Sequence, residues 1–462
     1  MVSNIIYDEK NDNLYLLLYK LGKGSYSTVW FSIQFKSFVN NIKIKKKIDI
    51  HHYALKIHNE EDYDEGIIET KVDGYLSLNG KRTNLINYPK SHFVYDENIV
   101  IVVYETALCS LYDFLKIYKR NFDIEFVNKI IPSLTDSIKF IHECGYIHTD
   151  IKPENYLLMG INKLQNDIYN DILKFNIMSK ISIITLLKKK ITFENILPIF
   201  KSVLKQLLLE LTSSFNLTDN ILYDDDDSEY TDNESSSESY VSNEEDDNNY
   251  EESEYYNTDC ESYNSSDNEF TKEFDKFHTS KILYEYYKED KNNNNKNEDD
   301  NNQTDNENYE FIKKYLENPI IKLTDFGLIQ KQTDKNRTIQ TRYYRSPEVL
   351  LGYKYDKNID FWSLNCTIYE LITGKILFDV EKDINIKKID KDVIQIKLIL
   401  ETLQGYSTDS FQNLYIQIRK SPRANYFLNK DGTLIHFRHI KSNTRLECMK
   451  DIFFNNFFDY HS

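Results

Sequence analysis

Between Asp219 and Thr271 the chain carries 20 aspartates and glutamates and not one lysine or arginine. Asparagine-rich sequence then follows, as in KNNNNKNEDDNNQTDNENY. Runs of like charge and of asparagine bury too little apolar surface to offset the entropy of ordering a chain. Residues 219–309 are therefore expected to be largely disordered, with short helices allowed around Phe270–Tyr287. Any folded body has to be assembled from the two blocks on either side. The acidity is equally local. The formal charge of −17 comes from 57 basic and 74 acidic residues, and without residues 219–271 the remainder holds 54 acids. The foldable part is almost neutral, so the global charge says little about its surface.

The flanking blocks have ordinary globular composition, with 40% hydrophobic residues over the 462. Three regions separate, 14–158, 159–319 and 320–462. In the first, Leu14–Lys20, Ser27–Gln34, His52–His58, Phe93–Tyr95 and Ile99–Tyr104 are rich in Val, Ile, Tyr and Phe and read as strands. Lys36–Ile50 reads as a long basic hairpin loop. Asp113–Tyr118 and Phe126–Cys144 have helical apolar spacing, the latter through Ile130, Leu134, Ile138 and Ile141. The middle region opens with a helix-prone apolar stretch, Ile168–Leu211. In the third region, Asp360–Thr373 and Val393–Leu403 have the apolar density of buried helices.

Five dispersed cysteines without a CxxC pair argue against a disulfide framework or structural zinc. No apolar run approaches the ~18–20 residues needed to cross a bilayer. Met1–Lys10 lacks the apolar region of a signal peptide. The chain is expected to be a soluble intracellular protein, cytoplasmic or nuclear, without a membrane partner. Lys43–Lys47 is a short basic run on a surface loop, and no direct nucleic-acid contact is expected of it.

Four segments carry chemistry. Leu21-Gly22-Lys23-Gly24-Ser25-Tyr26-Ser27-Thr28-Val29-Trp30 sets two glycines between strand formers, so its backbone can approach phosphates closely. Gly-x-Gly turns are common, and Ser27 with no following helix disfavours a dinucleotide-binding turn. Next comes Tyr53-Ala54-Leu55-Lys56-Ile57, a lysine inside an apolar strand, which is costly to bury without an anionic partner. Glu69, or Glu65 one helical turn earlier, could supply the carboxylate. The third segment is Ile147-His148-Thr149-Asp150-Ile151-Lys152-Pro153-Glu154-Asn155-Tyr156-Leu157-Leu158. Here Asp150 can accept a hydroxyl proton, Lys152 can balance charge on a moving phosphoryl group, and Asn155 can bind a hard metal ion. Beyond the acidic stretch, Ile321-Lys322-Leu323-Thr324-Asp325-Phe326-Gly327 offers an aspartate suited to Mg²⁺.

Taken in order, and with Ser346-Pro347-Glu348 after them, these segments resemble the motifs of the eukaryotic-type protein kinases. The resemblance implies an α+β, bilobal fold, with a β-rich N-lobe, a mainly helical C-lobe and a long insert between the catalytic loop and Asp-Phe-Gly. It implies ATP and Mg²⁺ as cofactors. Lys56 would hold the α- and β-phosphates and pair with Glu69. Asp150 would be the catalytic base, Lys152 a γ-phosphate contact, and Asn155 with Asp325 the metal ligands. Residues Leu21 to Ser27 would cover the phosphates, and Val29, Ala54 and Leu157 would sandwich adenine. Glu105 and Ala107 would offer backbone hydrogen bonds to the base, and Thr341 would brace Asp150 and Lys152.

Within the family, Gln340-Thr341-Arg342-Tyr343-Tyr344-Arg345-Ser346 resembles the group of cyclin-dependent, MAP, DYRK, LAMMER and SR-protein kinases. His148-Thr149-Asp150 and Leu21–Trp30 are most similar to the SR-protein kinases. Protein substrates phosphorylated on Ser or Thr, Arg-rich ones among them, and a monomeric enzyme are the expectation. Thr149 cannot gather an activation-loop phosphate as an arginine would, so activity is expected without phosphorylation at Thr333 or Thr338. The alternatives are a pseudokinase scaffold, favoured by a shortened C-lobe in which Glu348 would pair with Arg445 or with no arginine, or an acidic module for basic proteins. Asp379–Asp392, where acids alternate with lysines, is the candidate docking stretch.

Overall fold

The computed structural model describes residues 5–118, 124–175, 192–215, 315–332, 339–381 and 389–443, apart from a few single positions. The expected disordered stretch 219–309, Phe270–Tyr287, Ser25, Thr333, Thr338 and Arg445 lie outside the described residues.

The N-terminal block builds one six-stranded sheet ordered β1-β2-β3-β4-β6-β5. Its strands are β1 (Ile5–Asp8), β2 (Asn13–Lys23), β3 (Ser27–Lys36), β4 (Asp49–His58), β5 (Ser91–Tyr95) and β6 (Ile99–Tyr104). Five match the expected strand runs, and β1 is an addition on the outer edge. Antiparallel register sets Val29 opposite Lys56, and Lys56 opposite Val102. The glycine hairpin at the end of β2 and the strand lysine therefore share one sheet face, because partners in register point the same way.

Period-two alternation divides the apolar residues between two faces. Tyr15, Leu17, Leu55, Ile57, Ile101 and Val103 form a cluster on one face. The other face carries Leu16, Ile33 and Phe35 toward one end, and Ala54, Val100, Val102 and Tyr104 toward the other. There it packs against Tyr63 and Ile67 of helix α2 (Tyr63–Thr70).

Lys36–Ile50 is not simply a loop. It contains helix α1 (Phe38–Lys43), whose Phe38, Val39 and Ile42 are buried on the sheet. The lysines hid this apolar triplet, which becomes readable only once there is a surface for it to cover.

The C-lobe centres on α4 (Ile124–Glu143) and α5 (Asn358–Thr373), with the shorter α3 (Leu111–Tyr118) alongside. The stripe Ile130, Leu134, Ile138 and Ile141 is fully buried, as its spacing required. Two further helices, Lys391–Tyr406 and Thr408–Lys420, complete the described lobe. Strand Tyr156–Met159 joins Ala107–Ser110 and Ile321–Leu323 in a small sheet. That pairing brings the chain back beside the catalytic loop after the insert.

The compositional boundary at Met159 is not a packing boundary. Helices Lys163–Lys174 and Phe193–Phe215 leave the C-lobe and settle on the N-lobe sheet. The first is opened by a capping box between Asn162 and Gln165. Ile168, Ile172, Ile196, Phe200, Val203 and Leu204 share a cluster with Leu14, Leu16, Phe31, Ile33 and Phe35. Phe200 meets Phe35 and Phe38 edge-on at 5.4 and 5.0 Å. Replacing a fully buried aromatic with alanine costs about 3–5 kcal/mol. Phe200→Ala is accordingly expected to lower unfolding free energy by about that amount in denaturant titrations. A loss below about 1 kcal/mol would show the insert helices to be only loosely seated.

Candidate functional site

Lys56 reaches the site from the middle of β4. Its ammonium lies 3.0 Å from Glu69 on α2 and 2.8 Å from Asp325, 269 positions away in sequence. Glu69, not Glu65, is thus the helix partner. Burial works to lower the lysine's pKa, but the charges of Asp325 and Glu69 outweigh it and hold the ammonium protonated well above its ordinary range. Burial likewise works to raise the Glu69 carboxyl, and Lys56 with His58 prevails and lowers it. Asp325 is held low in the same way, against burial, by Lys56 and then Lys152. Its side chain remains 43% open to solvent, so screening discounts that pairing.

The catalytic-loop residues meet a few ångströms from one another. Asp150 Oδ1 accepts from Thr341 Oγ1 at 2.6 Å and from its backbone N–H at 3.2 Å. Asp150 Oδ2 lies 2.7 Å from Lys152 Nζ, which also donates to Thr341 Oγ1 at 3.1 Å. Burial would depress Lys152, but Asp150 and then Glu154 push it up to about 12. Asn155 Nδ2 donates to the Asp150 carbonyl at 2.7 Å and to its carboxylate at 3.3 Å. Thr324 N–H donates to the Asn155 carbonyl at 3.0 Å, which brings the residue before Asp325 against the loop. The Asn155 amide and the Asp325 carboxylate carry the hard oxygen donors that Mg²⁺ prefers, on segments joined by that backbone bond.

The loop is pinned from below by a residue the sequence reading did not single out. Asp360, at the start of α5 and 1% exposed, accepts from the backbone N–H groups of His148 and Thr149, both at 2.9 Å. His142 Nε2 lies 2.8 Å from it. Thr149 has φ 72°, an unfavourable conformation for a β-branched residue. These bonds, with Thr149 Oγ1 donating to the Leu328 carbonyl at 2.9 Å, hold it there. An acid in the first turn of a helix with the apolar density of a buried one was the available signal. His148 donates to the Thr324 carbonyl and packs its ring on Phe326, so it supports the loop from behind.

Of the expected nucleotide contacts, Leu21, Val29 and Ala54 share the sheet face that carries Lys56. Gly22 has no atom within 4 Å of where a Cβ would stand, so space is open beside the hairpin for a phosphate chain. Gly24 N–H is tied to the Ser27 carbonyl at 2.9 Å. Lys23 and Tyr26 are exposed and Ser27 is buried. Glu105, in the connection between the lobes, turns its side chain to Lys322 at 2.8 Å and Lys90 at 3.5 Å. Ala107 and Leu157 lie in the adjoining strands of the small sheet. In the candidate docking stretch, Asp390 caps the helix Lys391–Tyr406. Asp392 is engaged by Arg342 at 2.7 Å and Arg423 at 3.1 Å, while Asp390 is exposed; residues 382–388 of the stretch, Asp383 among them, lie outside the described residues. Glu348 is exposed.

A lysine bridging two lobes to a helix glutamate and a metal-type aspartate, above an Asp–Lys–Asn loop, defines a phosphotransferase class. The sequence pattern of the protein kinase domain matches residues 15–169 and 304–433, and the chain belongs to that family. It is a protein kinase, with the bilobal fold of the class. A serine/threonine-protein kinase of Acanthamoeba polyphaga mimivirus is 27% identical over 407 residues, covering 79% of this chain and 68% of its own length. The serine/threonine-protein kinase SRPK of Physarum polycephalum is 38% identical over 130 residues, covering 28% of each chain. The serine/threonine-protein kinase dyrk2 of Dictyostelium discoideum is 39% identical over 114 residues, covering 24% of this chain and 11% of its own.

The buried charges make a pH test possible. In the wild type, Glu69 is held below the ordinary carboxylate range. Its favourable contribution is therefore present above about pH 4.3 and is lost only as pH falls through the lower folded value. In Lys56→Met the same buried carboxylate loses its chief cation and is raised instead. Its penalty is then full at neutral pH and fades on acidification. The variant is expected to be about 3–5 kcal/mol less stable at neutral pH, with a smaller gap near about pH 5. A gap independent of pH would sink this account.

Proposed function

We propose that the protein transfers the γ-phosphoryl group of ATP to serine or threonine hydroxyls of protein substrates. The observation that carries this is the Lys56 ammonium shared between Glu69 and Asp325 beside the Asp150–Lys152–Thr341–Asn155 cluster. Lys56 holds the α- and β-phosphates, and Glu69 keeps it pointed at them. Asp150, oriented by Thr341, takes the proton of the attacking hydroxyl as its oxygen bonds to phosphorus and ADP departs. Lys152 offsets charge on the phosphoryl oxygens. Asn155 and Asp325 would hold Mg²⁺, which neutralises phosphate charge and orients the leaving group. Asp150→Asn should reduce transfer by about 10²–10⁴-fold with little change in melting temperature; retained turnover would remove Asp150 from that role.

The finer reading is a kinase of the SR-protein type acting on Arg-rich segments. A pair of buried acids beside the catalytic loop supports a basic substrate. Burial pushes the Glu154 carboxyl up to about 7, and its Oε2 has no partner among the described residues. Burial also raises Glu370, which accepts from Tyr344 Oη at 2.6 Å. A substrate guanidinium would supply the missing charge and donor. Activity without activation-loop phosphorylation is supported at Thr149 and Gln340. The first is engaged by a carbonyl. The second donates to the Ile359 carbonyl and Ser363 Oγ at 2.9 and 2.8 Å while accepting from Ser346 N–H at 2.9 Å. These uncharged bonds tie down the segment without a phosphate.

Arg-Ser peptides are expected to be phosphorylated faster than Ser-Pro peptides lacking arginine, and Glu154→Gln should narrow the difference. Phosphatase treatment of the purified protein should leave the rate unchanged. Preference for Ser-Pro would refute the subtype, and a collapse after dephosphorylation would refute phosphate independence.

A further inference from the structure

We propose that His58 is a positioning residue of the phosphotransfer site, acting through Glu69 to keep Lys56 divided between the nucleotide and Asp325. Strand alternation places His58 on the same face of β4 as Lys56, two residues farther along. Its Nε2 donates to Glu69 Oε2 at 2.8 Å. Tyr104 Oη, from β6, donates to Glu69 Oε1 at 2.7 Å. Lys56 Nζ lies 3.0 Å from each carboxylate oxygen. A carboxylate with no solvent exposure is therefore met by three donors from two adjacent strands.

The arrangement matters because α2 is short. Eight residues, Tyr63–Thr70, with no side-chain cap at its N-terminus, make a helix with little stability of its own. Gly66 lies so close to Val100 that a Cβ there would fall 2.7 Å from its Cβ, which brings the helix backbone against β6. Glu69 is thus anchored by the strands and not by its own helix. His58 Nδ1 is buried without a hydrogen-bond partner among the described residues, so the bond to Glu69 is the ring's hydrogen bond there.

Lys56 also lies 2.8 Å from Asp325. If Glu69 is less firmly held, the ammonium shifts toward Asp325 and competes for the carboxylate expected to bind Mg²⁺. His58 therefore governs metal demand as well as rate, although it touches neither substrate nor metal. A role in packing alone predicts neither effect.

The test compares His58→Phe, which keeps a ring and loses the donor, with His58→Gln, whose amide can donate from a similar position. The proposal rests on the phosphotransfer reading, so transfer by the wild type is measured first. His58→Phe is expected to lower kcat about tenfold or more, and to raise several-fold the Mg²⁺ concentration giving half-maximal rate. His58→Gln is expected to stay within about threefold of wild type in both. A Phe variant with wild-type Mg²⁺ demand, or a Gln variant as impaired as Phe, would overturn the proposal. Should the wild type bind Mg·ATP yet transfer nothing, the phosphotransfer reading fails. The His58 claim is then read from calorimetric affinity for Mg·ATP, with Phe weakened and Gln preserved if it holds.

Discussion

A lysine ammonium taken out of water must find anions, and Lys56 organises this molecule because its anions come from different parts of the chain. Glu69 lies thirteen residues on, while Asp325 arrives from beyond the insert. Satisfying both brings α2 onto the sheet and the Asp325 segment beneath it. The N-lobe face and the metal-type aspartate are thereby joined through one side chain. Asp360 plays the corresponding part in the C-lobe. By accepting the His148 and Thr149 N–H groups it keeps the catalytic loop in a conformation that its own φ angles resist. The two buried charge centres meet at Asp150, Lys152 and Asp325.

The insert adds a second connection between the lobes. Its first helix begins four residues after the end of the strand that follows the catalytic loop, and the two described helices end on the sheet. They occupy the end of the face that carries Ala54 and Lys56, opposite the end taken by α2. Leu21 touches the apolar clusters on both sides. Tyr169 Oη donates to the Ile50 carbonyl at 2.8 Å, and the His52 ring sits edge-on to Tyr169 while its Nδ1 lies 3.0 Å from Thr106. The sheet face that carries Lys56 is accordingly bounded by packed helices at both ends, one set before the catalytic loop in sequence and one after it.

The motifs were legible because their chemistry demands particular residues at short spacing. Asp150, Lys152 and Asn155 fall within six positions, and Lys56 stands out as a charge in an apolar strand. Strand positions were equally readable, since alternating Val, Ile, Tyr and Phe leaves few choices. The α1 helix was misread because a basic run masked three apolar residues whose partner surface lies in β2, β3 and the insert. Asp360 and His58 were missed for a related reason. A buried polar residue is identified by what it pairs with, and its partners, the loop amides and Glu69, are set by folding and not by spacing.

Taken alone, the sequence determined the family resemblance, the positions of five of the six N-lobe strands, and the short motifs that carry the lysine, aspartate and asparagine side chains. Tertiary structure decided that Glu69 and not Glu65 meets Lys56, that His58 and Tyr104 join it, and that the insert's first helices belong to the N-lobe core. The physical reason is range. Local pattern encodes which surfaces are apolar and which groups are charged, whereas burial and pairing are properties of two surfaces brought together.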